Sequence, residues 1–138
     1  MAESRSTIHL EVITPDAAVL SEDVTFVLAR ALDGDLGIMP HHAPLIASLA
    51  IWPLEYEVNG KRECITAAKG FLEVNNNKIT VITPAAERPA DIDIDRANAA
   101  KGRAEKRLSD AGNTIDIERA QLALQRALCR LNVANKDK

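Results

Sequence analysis

A chain of 138 residues is the size of one ordinary domain with room for a small appendage. Apolar residues at 46% and charged residues at 27% exclude a disordered chain, and aromatics at 3% leave Val, Ile, Leu and Ala to build the core. The net charge of −3 is unevenly spread: residues 1–83 hold six basic against eleven acidic side chains and residues 84–138 eleven against nine, so the larger part is no nucleic-acid binder and only the smaller has basic stripes to explain.

Met1–Leu10 carries Glu3 and lacks the apolar run of a secretion signal. Ile8, Leu10 and Val12 then alternate with His9, Glu11 and Ile13, the period of a strand. Val24–Leu32 is a near-continuous apolar run of strand length. The longest apolar stretch, Pro44–Leu54, is too short to span a bilayer, so membrane association is expected only through a partner. Leu54–Val58 and Lys61–Ala67 flank Asn59-Gly60, the strongest short hairpin signal. Phe71–Val74 and Lys78–Thr83 flank a second turn at Asn75–Asn77. Many short strands with frequent turns predict a β-sandwich or barrel over residues 1–84.

Pro84 and Pro89 mark a change of period, and residues 85–138 read as two helices. Asp93 can cap the first, with Asp95 at its positive end. Ala97, Ala100, Ala104, Leu108 and Ala111 share a face, and Gly112 stops the helix. Asp116 can cap the second, whose predicted face is Ile117, Ala120, Leu124, Leu128 and Leu131. The short loop between them predicts an antiparallel hairpin. Its seam is largely alanine, which allows close approach but buries little area, so the hairpin is expected to be weakly stable. The fold class is α+β: a sandwich followed by a two-helix hairpin.

Cys64 and Cys129 lie far apart in apolar surroundings and read as reduced, buried thiols of a cytoplasmic protein. No Cys or His pair has zinc-ligand spacing. No local motif marks a nucleophile with its base, and no phosphate-binding loop of the GxxxxGK[ST] or GxGxxG type occurs, so no catalytic residue is assigned.

Two segments remain. Asp33–Leu45 packs two glycines and two prolines into one short path. It is either a rigid turn or a docking edge that presents Asp35 and His42. The second segment is an arginine cluster. Shifting the sequence by 23 residues lays Ile92–Ala97 over Ile115–Ala120, and Arg103, Arg107 and Leu108 over Arg126, Arg130 and Leu131. On a helical wheel Arg96, Arg103 and Arg107 share one flank, and Arg126 and Arg130 share a face. Antiparallel pairing should bring Arg96 towards Arg130. Converging like charges need acids or an anion between them, so the cluster is either a solvated face paired with Glu105 and Asp110 or a polyphosphate site.

The pattern Gly-x-x-Gly-Ile-x-x-x-His-x-Pro-Leu at Gly34–Leu45 resembles the epsilon subunit of bacterial F-type ATP synthase. So do Leu10–Pro15 and Gly70–Val74, and the similarity runs over nearly the whole chain. The resemblance implies a sandwich of about ten strands, docked between the gamma subunit and the membrane rotor ring. It implies a non-catalytic, peripheral subunit on the cytoplasmic face of the bacterial membrane. Its partner interface would take in Gly34, Asp35, Gly37, Ile38, His42 and Pro44. The hairpin would fold on the sandwich, or extend towards the catalytic subunits and inhibit ATP hydrolysis. Ile92–Ala97 also matches the Ile/Leu-Asp-x-x-Arg-Ala motif of relatives that bind ATP. The resemblance then implies ATP as a regulatory ligand, with magnesium left open. Glu87 and Asp93 would bond the adenine or orient arginines, Ile92 and Ala97 would line the base, and Arg96, Arg103, Arg126 and Arg130 would hold phosphates. A free-standing nucleotide-binding regulator is the alternative reading.

Overall fold

The computed structural model describes residues 6–110 and 117–135. Seven strands come first: β1 (Ile8–Ile13), β2 (Ala18–Val24), β3 (Phe26–Ala31), β4 (Gly34–Ile38), β5 (Leu45–Val58), β6 (Lys61–Asn75) and β7 (Lys78–Ile82). They form one sheet in the order β2-β1-β7-β6-β5-β3-β4, antiparallel except for the β1–β7 pair.

That sheet folds over on itself. β5 and β6 run for 14 and 15 residues, more than twice a usual strand. Their pairing steps from Leu49↔Gly70 to Ile51↔Ala68, and at the step Lys69 and Gly70 both take positive φ, 69° and 113°. The Ala50–Lys69 pair is skipped there with the register unchanged, and the ladder bends at this break. The bend lets β2 reach β5, although three strands lie between them in the sheet order. Ile8, Leu10, Leu20, Val27, Ile38, Leu54, Ile65, Leu72 and Ile79, drawn from all seven strands, share one core. The resemblance implied about ten strands; the count is seven among the described residues because each long strand serves both layers.

Both predicted turns form as the sequence demands. Asn59 (φ 53°) and Gly60 (φ 76°) join β5 to β6, and Asn76 (φ 52°) and Asn77 (φ 58°) join β6 to β7. Two positive φ values in a two-residue loop match the right-handed twist of the flanking strands. The run Val24–Leu32 is not one strand. It breaks at Thr25, whose N–H and Oγ1 both bond the Glu57 carbonyl, leaving Val24 at the end of β2 and Phe26 at the start of β3.

After β7 the chain stays on the sandwich. Ala68 N–H donates to the Ala85 carbonyl at 3.2 Å and Thr66 N–H to that of Glu87 at 3.0 Å, so residues 85–87 run along β6. Arg88 donates twice to the Val19 carbonyl. A 3₁₀ turn, Pro89–Asp91, leads into α1 (Ile94–Ser109), capped by the Asp93 carboxylate, which accepts from Arg96 N–H at 3.0 Å. α2 (Ile117–Asn135) packs on α1, β5 and β6. The assignments to Ala111, Gly112, Ile115 and Asp116 fall outside the described residues.

Ala97 and Ala104 on α1 and Ala120, Ala127 and Ala134 on α2 are buried at seven-residue spacing, an alanine seam. Leu128 does not belong to it; it is 39% exposed. The sequence reading gave α2 one buried face, whereas it has two. Ala120 and Ala127 serve the seam, Cys129 and Val133 face the sandwich, and Leu128 points away from both.

Candidate nucleotide cleft and docking edge

The linker sets the geometry of the arginine cluster. Glu87 is pinned on β6 through both backbone groups, its N–H donating to Thr66 Oγ1 at 2.8 Å and its carbonyl accepting from Thr66 N–H. Its carboxylate then accepts from Arg130 Nε at 2.6 Å, a charge-assisted bond that ties α2 to the linker. The 3₁₀ turn brings Asp91 alongside, and the α1 cap brings Asp93. Arg96 and Arg103 are seven residues apart on α1 and so share a face.

These groups line one cleft of about 310 Å³, formed by Glu87, Asp91, Asp93, Arg96, Ala97, Ala100, Arg103 and Arg130. Six of the eight residues implied as ATP ligands therefore come together. The other two lie at its border. Arg126 lines a narrow crevice on the sandwich side with Glu87, Arg130 and Cys129. Ile92 is buried behind the cleft with Cys64, Val133 and Ala134. Sequence reasoning missed Asp91 and Ala100. Ala100 sits on the predicted alanine stripe, but Asp91 reaches the cleft only because the 3₁₀ turn curls there.

Guanidiniums and carboxylates share the lining. Among the described residues, the one ion pair inside the cleft is Arg130–Glu87. Among the described residues, Arg96, Arg103 and Arg126 have no carboxylate within 4.0 Å, and neither Glu105 nor Asp110 pairs with an arginine. The solvated-face reading expected those pairs.

The Gly34–Pro44 segment forms an edge strand of the sheet and the loop that follows it. Gly34, Asp35, Gly37 and Ile38 make β4, and Ile38 is fully buried, so its side chain supports the edge from inside. Asp35 is exposed and accepts from Arg30 Nε at 3.0 Å; Arg30 in turn lies 3.8 Å over the Trp52 ring. His42 Nδ1 bonds the Ala43 carbonyl at 2.7 Å. Gly34, Asp35, Leu36 and Leu45 help line a cavity of about 620 Å³, rimmed by Leu32 and Ile46, which are 74% and 72% exposed. Pro44 borders a second of about 440 Å³.

Two family models together match almost the whole chain. The ATP synthase, Delta/Epsilon chain, beta-sandwich domain matches residues 7–89, and the long alpha-helix domain of the same chain matches residues 90–135. The chain belongs to the ATP synthase delta/epsilon chain family. It is 50% identical over 127 residues to the ATP synthase epsilon chain of Nitratidesulfovibrio vulgaris (strain DP4), covering 92% of this chain and 95% of that one. It is 48% identical to that of Desulfitobacterium hafniense (strain Y51), covering 93% and 96%. The fold also matches a chain in the Euglena gracilis mitochondrial ATP synthase OSCP/F1/c-ring structure, with a TM-score of 0.79 at 23% identity over 97% of this chain and 86% of that chain. As an epsilon-chain homologue the protein is a non-catalytic subunit. Among the described residues, no helix is long and apolar enough to cross a membrane.

Within this family fold, Asn77 holds the Gly34–Pro44 loop in shape. Its Oδ1 accepts from His41 N–H at 2.8 Å and its Nδ2 donates to the Thr7 carbonyl at 2.9 Å. His41 itself has φ 65°. Asn77→Gly keeps the positive φ accessible and removes only the amide. It is expected to leave the sandwich folded and to raise amide exchange at His41 roughly tenfold, as losing about one hydrogen bond does. Unchanged exchange at His41 would mean that the prolines alone shape the loop.

Proposed function

We propose that this chain is a central-stalk subunit of a rotary proton-translocating ATP synthase, coupling the stalk to the rotor ring and restraining ATP hydrolysis through an ATP-sensing hairpin. The sandwich is its assembly module. The Gly34–Pro44 edge meets the rotor ring, a flank grips the gamma subunit, and the extended hairpin reaches the catalytic subunits. The chain sits peripherally on the cytoplasmic membrane face. Family membership supports the assembly, and the cleft supports the sensing.

The observation that carries the sensing is the meeting of Glu87 from the linker, Arg96 and Arg103 from α1 and Arg130 from α2 in one cleft. Its volume of about 310 Å³ is at the lower end of the range of small-molecule sites. Guanidinium forks match phosphate oxygens, and a polyphosphate would supply the counter-ion that Arg96 and Arg103 do not find among the described residues. Glu87, Asp91 and Asp93 offer acceptors to an exocyclic amine, and Ala97 and Ala100 leave room for a flat base. The three elements meet only when the hairpin is docked, so ATP held here stabilises the docked form and no other.

Calorimetric titration of the isolated chain tests the site. Arg126→Ala and Arg130→Ala should each weaken ATP binding by roughly 1.5–3 kcal/mol, the worth of a hydrogen bond to a charged group. Arg119→Ala, exposed on the same helix and outside the cleft, should change nothing. Equal losses at Arg119 and Arg126 would reveal a diffuse basic patch. Co-purification with a membrane-bound ATPase tests the assembly; a chain that never co-purifies is the free-standing regulator instead.

A further inference from the structure

Two cysteines face one another's elements across the seam that holds the hairpin down. Cys64 lies on β6 and is 4% exposed; Cys129 lies on α2 and is 3% exposed. The Cys64 Sγ donates to the Val133 carbonyl on α2 at 3.9 Å, and Cys129 meets the backbone of Ala67 on β6. Each thiol is thus covered by the element it faces. Burial pushes the Cys129 thiol from its ordinary 9.0 up to about 11, against the pull of that backbone bond and of Arg130. A neutral, buried thiol is inert. Little else is buried here besides Ile92, Ile94, Val133 and Ala134, so the cover is thin.

We propose that Cys64 and Cys129 form a modification site that opens only when α2 leaves the sandwich, and that modification there keeps α2 from returning. The inference rests on the two-position hairpin proposed above. Once α2 departs, Cys129 stands on an exposed helix and Cys64 on an uncovered strand. The reagent class is a hydroperoxide. The thiolate attacks one peroxide oxygen; the S–O bond forms, the O–O bond breaks, and the second oxygen leaves as hydroxide or alkoxide. Sulfur is oxidised by two electrons to a sulfenic acid and the peroxide is reduced. The added polar oxygen must then re-enter a seam where Val133 is 0% exposed, which disfavours docking. An oxidised subunit stays in the undocked position, whatever the ATP level.

N-ethylmaleimide reports the gate on the intact chain, with peptide mass spectrometry assigning each thiol. At ATP a hundredfold above its Kd, the undocked-to-docked ratio falls about a hundredfold, and both alkylation rates should fall, by about tenfold where the undocked form starts in tenfold excess. Chains oxidised with hydrogen peroxide without ATP should show faster amide exchange across α2 than untreated chains. Val133→Asp, which places a carboxylate against Cys64, should expose both thiols without reference to ATP, with circular dichroism confirming retained strand content. Calorimetry separates the two readings. ATP binding with alkylation rates indifferent to ATP overturns the gate and leaves the nucleotide site standing. Absence of ATP binding overturns the nucleotide site, and the gate is then decided by peroxide treatment and Val133→Asp. Should α2 exchange be unchanged after oxidation of both thiols, or both thiols stay protected in Val133→Asp, the proposal is wrong.

Discussion

Gly70→Ala is expected to destabilise the sandwich by roughly 4 kcal/mol or more, enough to consume much of the stability of a small domain. Gly70 has φ 113°, and a Cβ there would stand 2.0 Å from the Ile82 carbonyl oxygen and 2.9 Å from the Thr83 Cα. Neither atom can yield cheaply. Ile82 is paired with Phe71 on one side and Ile13 on the other, and Thr83 N–H is bonded to the Ile13 carbonyl. The bend that folds the sheet over occurs at this residue, so relieving the clash means separating β6 from β7. Gly34→Ala is the control: its φ is 134° but its Cβ meets nothing within 4 Å, leaving a backbone term of about 1–3 kcal/mol. Urea unfolding of both variants decides the matter. Equal shifts in midpoint would mean that positive φ, and not the approach to β7, is what Gly70 supplies.

How far the fold could be read beforehand follows the range of the interactions involved. The turns at Asn59-Gly60 and Asn76-Asn77 were readable because their positive φ values are a local demand that few residues meet. The Asp93 cap was readable for the same reason. The break at Thr25 was not, because the Glu57 carbonyl that holds it lies 32 residues away. The pinning of Glu87 to Thr66, across 21 residues, left no mark in the pattern either. Leu128 failed because one apolar stripe was assumed where α2 buries two faces. For the cleft, the 23-residue repeat showed that the arginines recur, and only the antiparallel pairing of α1 and α2 brought Arg96 and Arg130 together. Asp91 needed the 3₁₀ turn.

The energetics of the hairpin lead to the second expectation. Among the described residues, its contact with the sandwich includes a small apolar cluster of Cys64, Ile92, Ile94, Val133 and Ala134, Cys129 against β6, and one partly exposed ion pair, Arg130–Glu87. An alanine seam adds little buried area. Ion pairs at such exposure contribute about 1 kcal/mol at most. Docking is therefore marginal, and a ligand that binds only the docked form controls it.

In the assembled ATP synthase, energy transfer between a fluorophore at exposed Lys61 and one at exposed Asn132 should fall as ATP is removed. A ligand specific to one form stabilises it by RT ln(1 + [L]/Kd), about 2.7 kcal/mol at a hundredfold excess. An equilibrium standing about 10:1 for the extended form is thereby turned to about 10:1 for the docked form. Under the proposed function, falling ATP would then release α1 and α2 to reach the catalytic subunits, and hydrolysis would stop when ATP is scarce. Arg126→Ala would remove the proposed phosphate partner at the border of the cleft without touching the Glu87–Arg130 pair, so that variant should stay in the low-transfer state at ATP levels that dock the unmodified chain. Transfer that ignores ATP, while calorimetry on the isolated chain shows binding, would leave the cleft as a nucleotide site that does not move the hairpin.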